Sequence, residues 1–211
     1  MKKIVIIALL FTSYLAAQTK LYVHPDGDNY AANTKTMAIL PLDTQVKLRP
    51  KQLKDFTSEQ IEEMEKNEAL DIQKGMHSWF LTRKKRGELT INVQTPARTN
   101  ALLKKAGVDI HNYQEYLPSE LGKILGVDCV VMGTFETNQP MSAAASIVVG
   151  ALFGGFGATQ SAICNFDFYD TRDDELVVNY LKKVKGGLGS DSQDLINVLM
   201  RKVTRRIPYT K

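Results

Sequence analysis

The sequence predicts a mixed α/β domain built on one mixed sheet, in the element order β-α-β-α-α-β-β-β-α. Three observations carry this. Short apolar runs of strand length, such as Met37–Leu42 and Val127–Phe135, are separated by amphipathic stretches at helical spacing. Two later runs alternate residue by residue across a tight turn, as hairpin strands do. The composition is ordinary for a globular protein, 44% hydrophobic and 24% charged with a formal net charge of +4. It excludes a disordered or collagen-like chain and a polytopic membrane protein. So small and dispersed an excess of positive charge excludes a strongly basic nucleic-acid binder. With 2 Cys and 3 His, a multi-zinc scaffold or a disulfide-rich mini-protein is excluded as well.

The elements follow in order. Residues 1–17 have the three parts of a secretory signal peptide. Lys2 and Lys3 are the positive region, Ile4–Phe11 the apolar run, and Ala17-Gln18 the cleavage point. The run is too short to span a bilayer, which needs about 20 residues. Residues 18–35 are polar and read as an extended lead-in with a Pro25-Asp26-Gly27-Asp28 turn. Met37–Leu42 suits a buried strand. A long helix follows over 57–84, opened by a Thr57/Gln60 capping box. Its apolar face is Ile61, Met64, Ile72, Met76, Trp79 and Phe80, and Arg83-Lys84-Lys85-Arg86 closes it in agreement with the helix dipole. Leu89–Val93 alternates and reads as a strand. Thr95 with Pro96 starts a helix that carries Ala101, Leu102 and Ala106 and stops at Gly107. Another helix runs from Pro118 to Gly126 and presents Leu121, Ile124 and Leu125. Val127–Phe135 is the strongest strand.

Cys164, Phe166 and Phe168 alternate with Ile163, Asn165 and Asp167, and Leu176, Val178 and Tyr180 alternate with Val177 and Asn179. The acidic residues from Asp170 to Asp174 read as a solvated hairpin turn. After a Gly186–Gly189 loop, a Ser190/Gln193 capping box opens a last helix with the stripe Leu195, Ile196, Leu199 and Val203. Strands joined through helices should be parallel, and the last three should form an antiparallel meander.

One segment stands apart. Residues 137–166 contain no Asp, Glu, Lys or Arg, a run of 30 positions. It falls between two strands that should pair, so about 138–160 reads as a Gly/Ala-rich insertion. Its apolar residues Ile147, Val148, Val149, Leu152, Phe153 and Phe156 are the candidate interface or membrane contacts. Three readings stay open: packing on its own sheet, packing on a protein neighbour, or touching or entering a membrane, by peripheral contact or as a hairpin of two short arms where several subunits close a barrel. Because it interrupts a hairpin, replacing 141–158 by a short Gly-Ser linker should leave cooperative thermal unfolding near the parent temperature. Loss of folding would show that the segment belongs to the core.

Several stretches resemble a known family when taken together. They are Met37–Leu42, Thr99–Val108, Leu121–Thr134, Phe168–Thr171 and the final helix ending in Ile207-Pro208. The pattern resembles the periplasmic α/β domain of the curli-secretion protein CsgG and the amino-terminal domain of TolB, and related envelope lipoproteins. It covers roughly 36–208, and Leu121–Thr134 is its most specific piece. The lipid-anchor Cys of many such proteins has no counterpart here. The resemblance implies an assembly or binding module of the cell envelope.

The residues themselves point away from catalysis. His24, His77 and His111 fall in three separate regions, no His pair has metal spacing, and no nucleophile elbow occurs. The expectation is a non-enzymatic, exported periplasmic protein without metal or cofactor, possessing envelope proteins or itself as partner. The alternative is an oligomeric outer-membrane transport or secretion component that uses 141–158 for membrane or subunit contact. A pairing register that sums to 298 sets Cys129 opposite Tyr169 and Cys164 opposite Thr134. The two thiols then lie on opposite sheet faces, buried and unbridged.

Overall fold

A computed structural model describes residues 19–138, 161–185, 192–203 and 205–211. The elements in chain order are β1 Thr19–Val23, α1 Gly27–Asn33, β2 Thr36–Ile39, β3 Asp43–Val46, α2 Pro50–Leu53, α3 Ser58–Lys85, β4 Asn92–Val93, α4 Pro96–Lys105, α5 Pro118–Leu125, β5 Cys129–Thr137, β6 Ser161–Asp170, β7 Leu176–Lys185 and α6 Ser192–Val203. The described strands form one seven-stranded mixed sheet in the order β1-β7-β6-β5-β2-β4, with β3 also paired to β5. β2, β3 and β4 enter in parallel pairs, and β5-β6-β7 is an antiparallel meander. The signal-like segment, the insertion with its six apolar residues, the Gly186–Gly189 loop and Ser190 lie outside the described residues.

Residue alternation divides the interior between the two sheet faces. On one face Met37, Ile39, Cys129, Val131, Phe166 and Phe168 pack against Ile72, Met76 and Phe80 of α3 and Leu199, Met200 and Val203 of α6. On the other, Ala38, Leu40 and Val130 pack against Leu103 of α4 and Leu121 and Leu125 of α5. The long helix forms with its capping box: Gln60 N–H donates to Thr57 Oγ1, and Thr57 N–H donates to Gln60 Oε1 at 2.9 Å.

Several expectations need correction. Residues 18–35 are not merely a lead-in. β1 is an edge strand on β7, with Leu21 opposite Tyr180, and α1 follows it. The strand expected at Leu89–Val93 narrows to Asn92–Val93, with an isolated bridge between Leu89 and Thr210. The buried side of α4 is Thr99 and Leu103, while Ala101 and Ala106 are exposed. The basic end of α3 also ties down the following loop. Buried Arg83 pairs with Glu88, and Lys84 Nζ donates to the Ile91 carbonyl at 3.1 Å.

The hairpin register differs by one residue from the expected one. Cys129 faces Asp170, and Cys164 faces Phe135. The closing pair is set by Asn138, whose Oδ1 accepts the Ser161 N–H at 2.8 Å. The thiols therefore share one face rather than opposite faces. They remain six positions apart along the ladder, about 20 Å at roughly 3.3 Å per residue. Both are buried and free, and burial pushes the Cys129 thiol up to about 12. Alkylation of unreduced, unfolded protein should label both; a peptide linking 129 to 164 would refute the register.

A break in the parallel half is filled by a side chain. Pro41 separates β2 from β3, which take successive stretches of β5. The buried Tyr113 hydroxyl donates to the Gly133 carbonyl at 2.8 Å and accepts the Asp43 N–H at 3.1 Å. Tyr113→Phe strands both backbone groups, so denaturant unfolding should show a loss of about 1–3 kcal/mol.

A candidate binding cleft on the open sheet face

The acidic turn after β6 is an anchored structure rather than a solvated loop. Asp170 is fully buried and paired with Arg172, Nη2 to Oδ2 at 2.6 Å and Nε to Oδ1 at 2.8 Å. Asp173 accepts the Tyr30 hydroxyl at 3.0 Å. Asp174 reaches the first turn of α5, where its carboxylate accepts the Ser119 N–H at 2.5 Å and the Ser119 hydroxyl at 3.0 Å. It thus serves that helix as a cap supplied from elsewhere in the chain. Thr171 donates from N–H and hydroxyl to the carbonyls of Asp128 and Val127, at 3.0 and 2.8 Å. The turn is locked to the α5–β5 junction.

This docking leaves a cleft between the loop preceding α5 and the strands β5 and β6. The open space is about 420 Å³. Tyr116 and Leu117 form one wall, Met132 and Thr134 of β5 the floor, and Asp167 and Tyr169 of β6 the other wall. Asp167 lies directly across from Met132, and Asn179 of β7 lies across from Asp167. Asn165 Nδ2 donates to Asp167 Oδ2 at 2.7 Å, and Asn179 Nδ2 donates to Asp167 Oδ1 at 2.5 Å. Burial raises the Asp167 carboxyl above the usual carboxylate value, against the pull of these two amides. Burial likewise raises Tyr169, and the Asp167 charge raises it further. Among the described residues, no Lys or Arg lines the cleft.

Beyond the cleft, none of the described helices covers the same face. α5 reaches as far as β6. Past it, among the described residues, Asn179 and Leu181 of β7 are half-buried, Lys183 and Lys20 are exposed, and Tyr22 of β1 is 44% exposed.

The predicted contact residues Ile147, Val148, Val149, Leu152, Phe153 and Phe156 lie outside the described residues and are not placed on this face. The described histidines are far apart in role: His24 sits against Tyr30, His77 on α3 is half-buried with its pKa lowered by burial, and His111 is 3.5 Å from Glu62. No group of three or more His, Cys, Asp or Glu converges among the described residues, and no described helix is long and apolar enough to cross a membrane. The cleft was missed in the sequence because three separate segments build it. Its one legible signal is the polar alternation of Asn165, Asp167 and Asn179 on otherwise apolar strands.

No protein-family model and no curated protein matches the chain. Solved structures give low-scoring likenesses. The PelC dodecamer from Paraburkholderia phytofirmans is 10% identical with a TM-score of 0.40, covering 89% of this chain and 94% of that one. Lipoprotein GNA1162 from Neisseria meningitidis is 12% identical at 0.46, covering 82% and 96%. Hypothetical protein CT253 from Chlamydia trachomatis is 12% identical at 0.39, covering 83% and 97%. At TM-scores of 0.46 and below they assign no function to this chain.

Proposed function

We propose that this chain is an exported cell-envelope protein, non-enzymatic, that binds other proteins or further copies of itself. The observation that carries the reading is the uneven cover of the sheet. α3 and α6 pack against one face, while on the other the described helices stop at β6 and leave the β7–β1 half with the adjoining cleft. A ready-made open face beside a shaped cleft is what a binding module presents. The signal-like residues 1–17 and the resemblance to the CsgG and TolB envelope domain support export. The two buried thiols have raised pKa values and offer no activated nucleophile.

The test is site-specific photo-crosslinking in cells. A photoreactive residue at Tyr22 or Lys183 should give discrete adducts in the envelope fraction, and one at exposed Glu63 of α3 should not. Adducts equal at all three sites, or protein confined to the cytoplasm, would overturn the reading. The 30-residue uncharged run favours a second reading, an oligomeric outer-membrane transport component. Membrane association that resists high salt and alkaline washing would select it.

A further inference from the structure

We propose that the cleft between the Tyr113–Pro118 loop and strands β5 and β6 binds a primary ammonium group carried on a flexible alkyl chain. The inference deepens the binding-module reading and rests on it. Asp167 is a half-buried carboxylate, and among the described residues no cation lines the cleft to neutralise it. A carboxylate offers about four lone-pair sites over two oxygens. Asn165 and Asn179 each occupy one, on different oxygens, so acceptor capacity is left on both. The other carboxylate at the cleft, Asp174, is engaged by Ser119.

The two amides also discriminate between cations. With a donor already on each oxygen, the planar fork of a guanidinium loses its free bidentate edge. An ammonium is a point donor with three directions and needs only one oxygen, plus hydroxyl or ring partners. Thr134, Tyr116 and Tyr169 supply both kinds around the carboxylate. Met132 and Leu117 provide apolar surface for the methylene stem. Two sources present this chemistry: a lysine side chain of a partner lying along the open face, and a free polyamine.

The test follows backbone amide NMR shifts of the purified full chain. The probes are Nα-acetyl-lysine methylamide, spermidine, the neutral norleucine analogue, and an extended peptide with lysine at alternate positions. The lysine probe should shift Met132, Thr134 and Tyr169 saturably, and the norleucine analogue should not. Asp167→Asn should weaken binding at least tenfold. Should that variant fail to fold, Thr134→Lys serves instead. Position 134 is exposed and diagonal to Asp167 across the β5–β6 pair, so the new ammonium should occupy the cleft and block the probe. Tighter binding of the alternating peptide than of spermidine identifies a protein source; the reverse identifies a polyamine. Unshifted cleft amides with every cationic probe, or binding undiminished in both variants, would overturn the proposal. Envelope crosslinks at Tyr22 persisting in that case would leave the binding-module reading standing, and ammonium binding by a cytoplasmic protein would remove that reading alone.

Discussion

Gly133→Ala should lower the thermal midpoint by about 10 °C. Gly133 sits inside β5 with φ at +149°, a region that L side chains scarcely enter. An added Cβ would lie 2.9 Å from the Asn165 carbonyl carbon and closer still to its oxygen. Both neighbours are backbone of the paired strand β6, so no rotamer change relieves the overlap. Conformational strain of ~1–3 kcal/mol adds to overpacking of ~1–3 kcal/mol. Each kcal/mol is worth about 2–4 °C at this chain length. Gly87→Ala separates the two causes. Its φ is +72° and nothing lies within 4 Å of the added carbon, so it reports conformational strain alone. A Gly133→Ala midpoint no lower than that of Gly87→Ala would refute the close approach of β5 to Asn165.

Gly133 also marks how far the sequence could be read. Periodicity gave β2, β5, β6, β7 and α3 to α6 because each presents an apolar face long enough to show a repeat. The parallel and antiparallel halves followed from the connections. β3 escaped because its four residues, Asp43–Val46, lie behind Pro41 and continue along β5 instead of starting a new ladder. β1 escaped because an edge strand buries little; only Leu21 and Thr19 are even half-buried. The register slipped by one because Asn138 and Ser161 close the pairing through a side chain, which no strand period encodes. A glycine inside a strongly apolar strand is the sequence signal for close backbone approach. The acidic turn misled because its carboxylates look solvated until Tyr30 and Ser119 are brought in from two distant parts of the chain and Arg172 folds back onto Asp170 within the turn itself.

The same docking runs through the stretch Leu121–Thr134. Gly122 lies on the α5 face against which the turn packs, and a Cβ there would come within 2.6 Å of Thr171 Cγ2 and 2.8 Å of its Oγ1. Thr171 cannot simply rotate away. Its N–H and hydroxyl are both engaged with carbonyls at the α5–β5 junction, and Asp174 three residues on holds the start of α5. Gly122→Ala should therefore cost ~2–3 kcal/mol through overpacking. Part of that cost should return when the obstructing side chain is removed. Thr171→Gly alone should cost ~1–2 kcal/mol, from the lost hydroxyl hydrogen bond and the freed backbone. The double variant should then be more stable than additivity demands by about 1 kcal/mol or more. Urea unfolding of the four proteins closes the cycle. Strict additivity, within roughly 0.5 kcal/mol, would mean that Gly122 and Thr171 do not touch, and would leave the dock of the turn on α5 to the Asp174–Ser119 hydrogen bonds. A positive coupling would instead place the wall of the Asp167 cleft on a rigid support, because this contact joins the Asp174–Ser119 and Thr171–Val127 hydrogen bonds in fixing the turn that ends β6 against the helix that follows Tyr116 and Leu117.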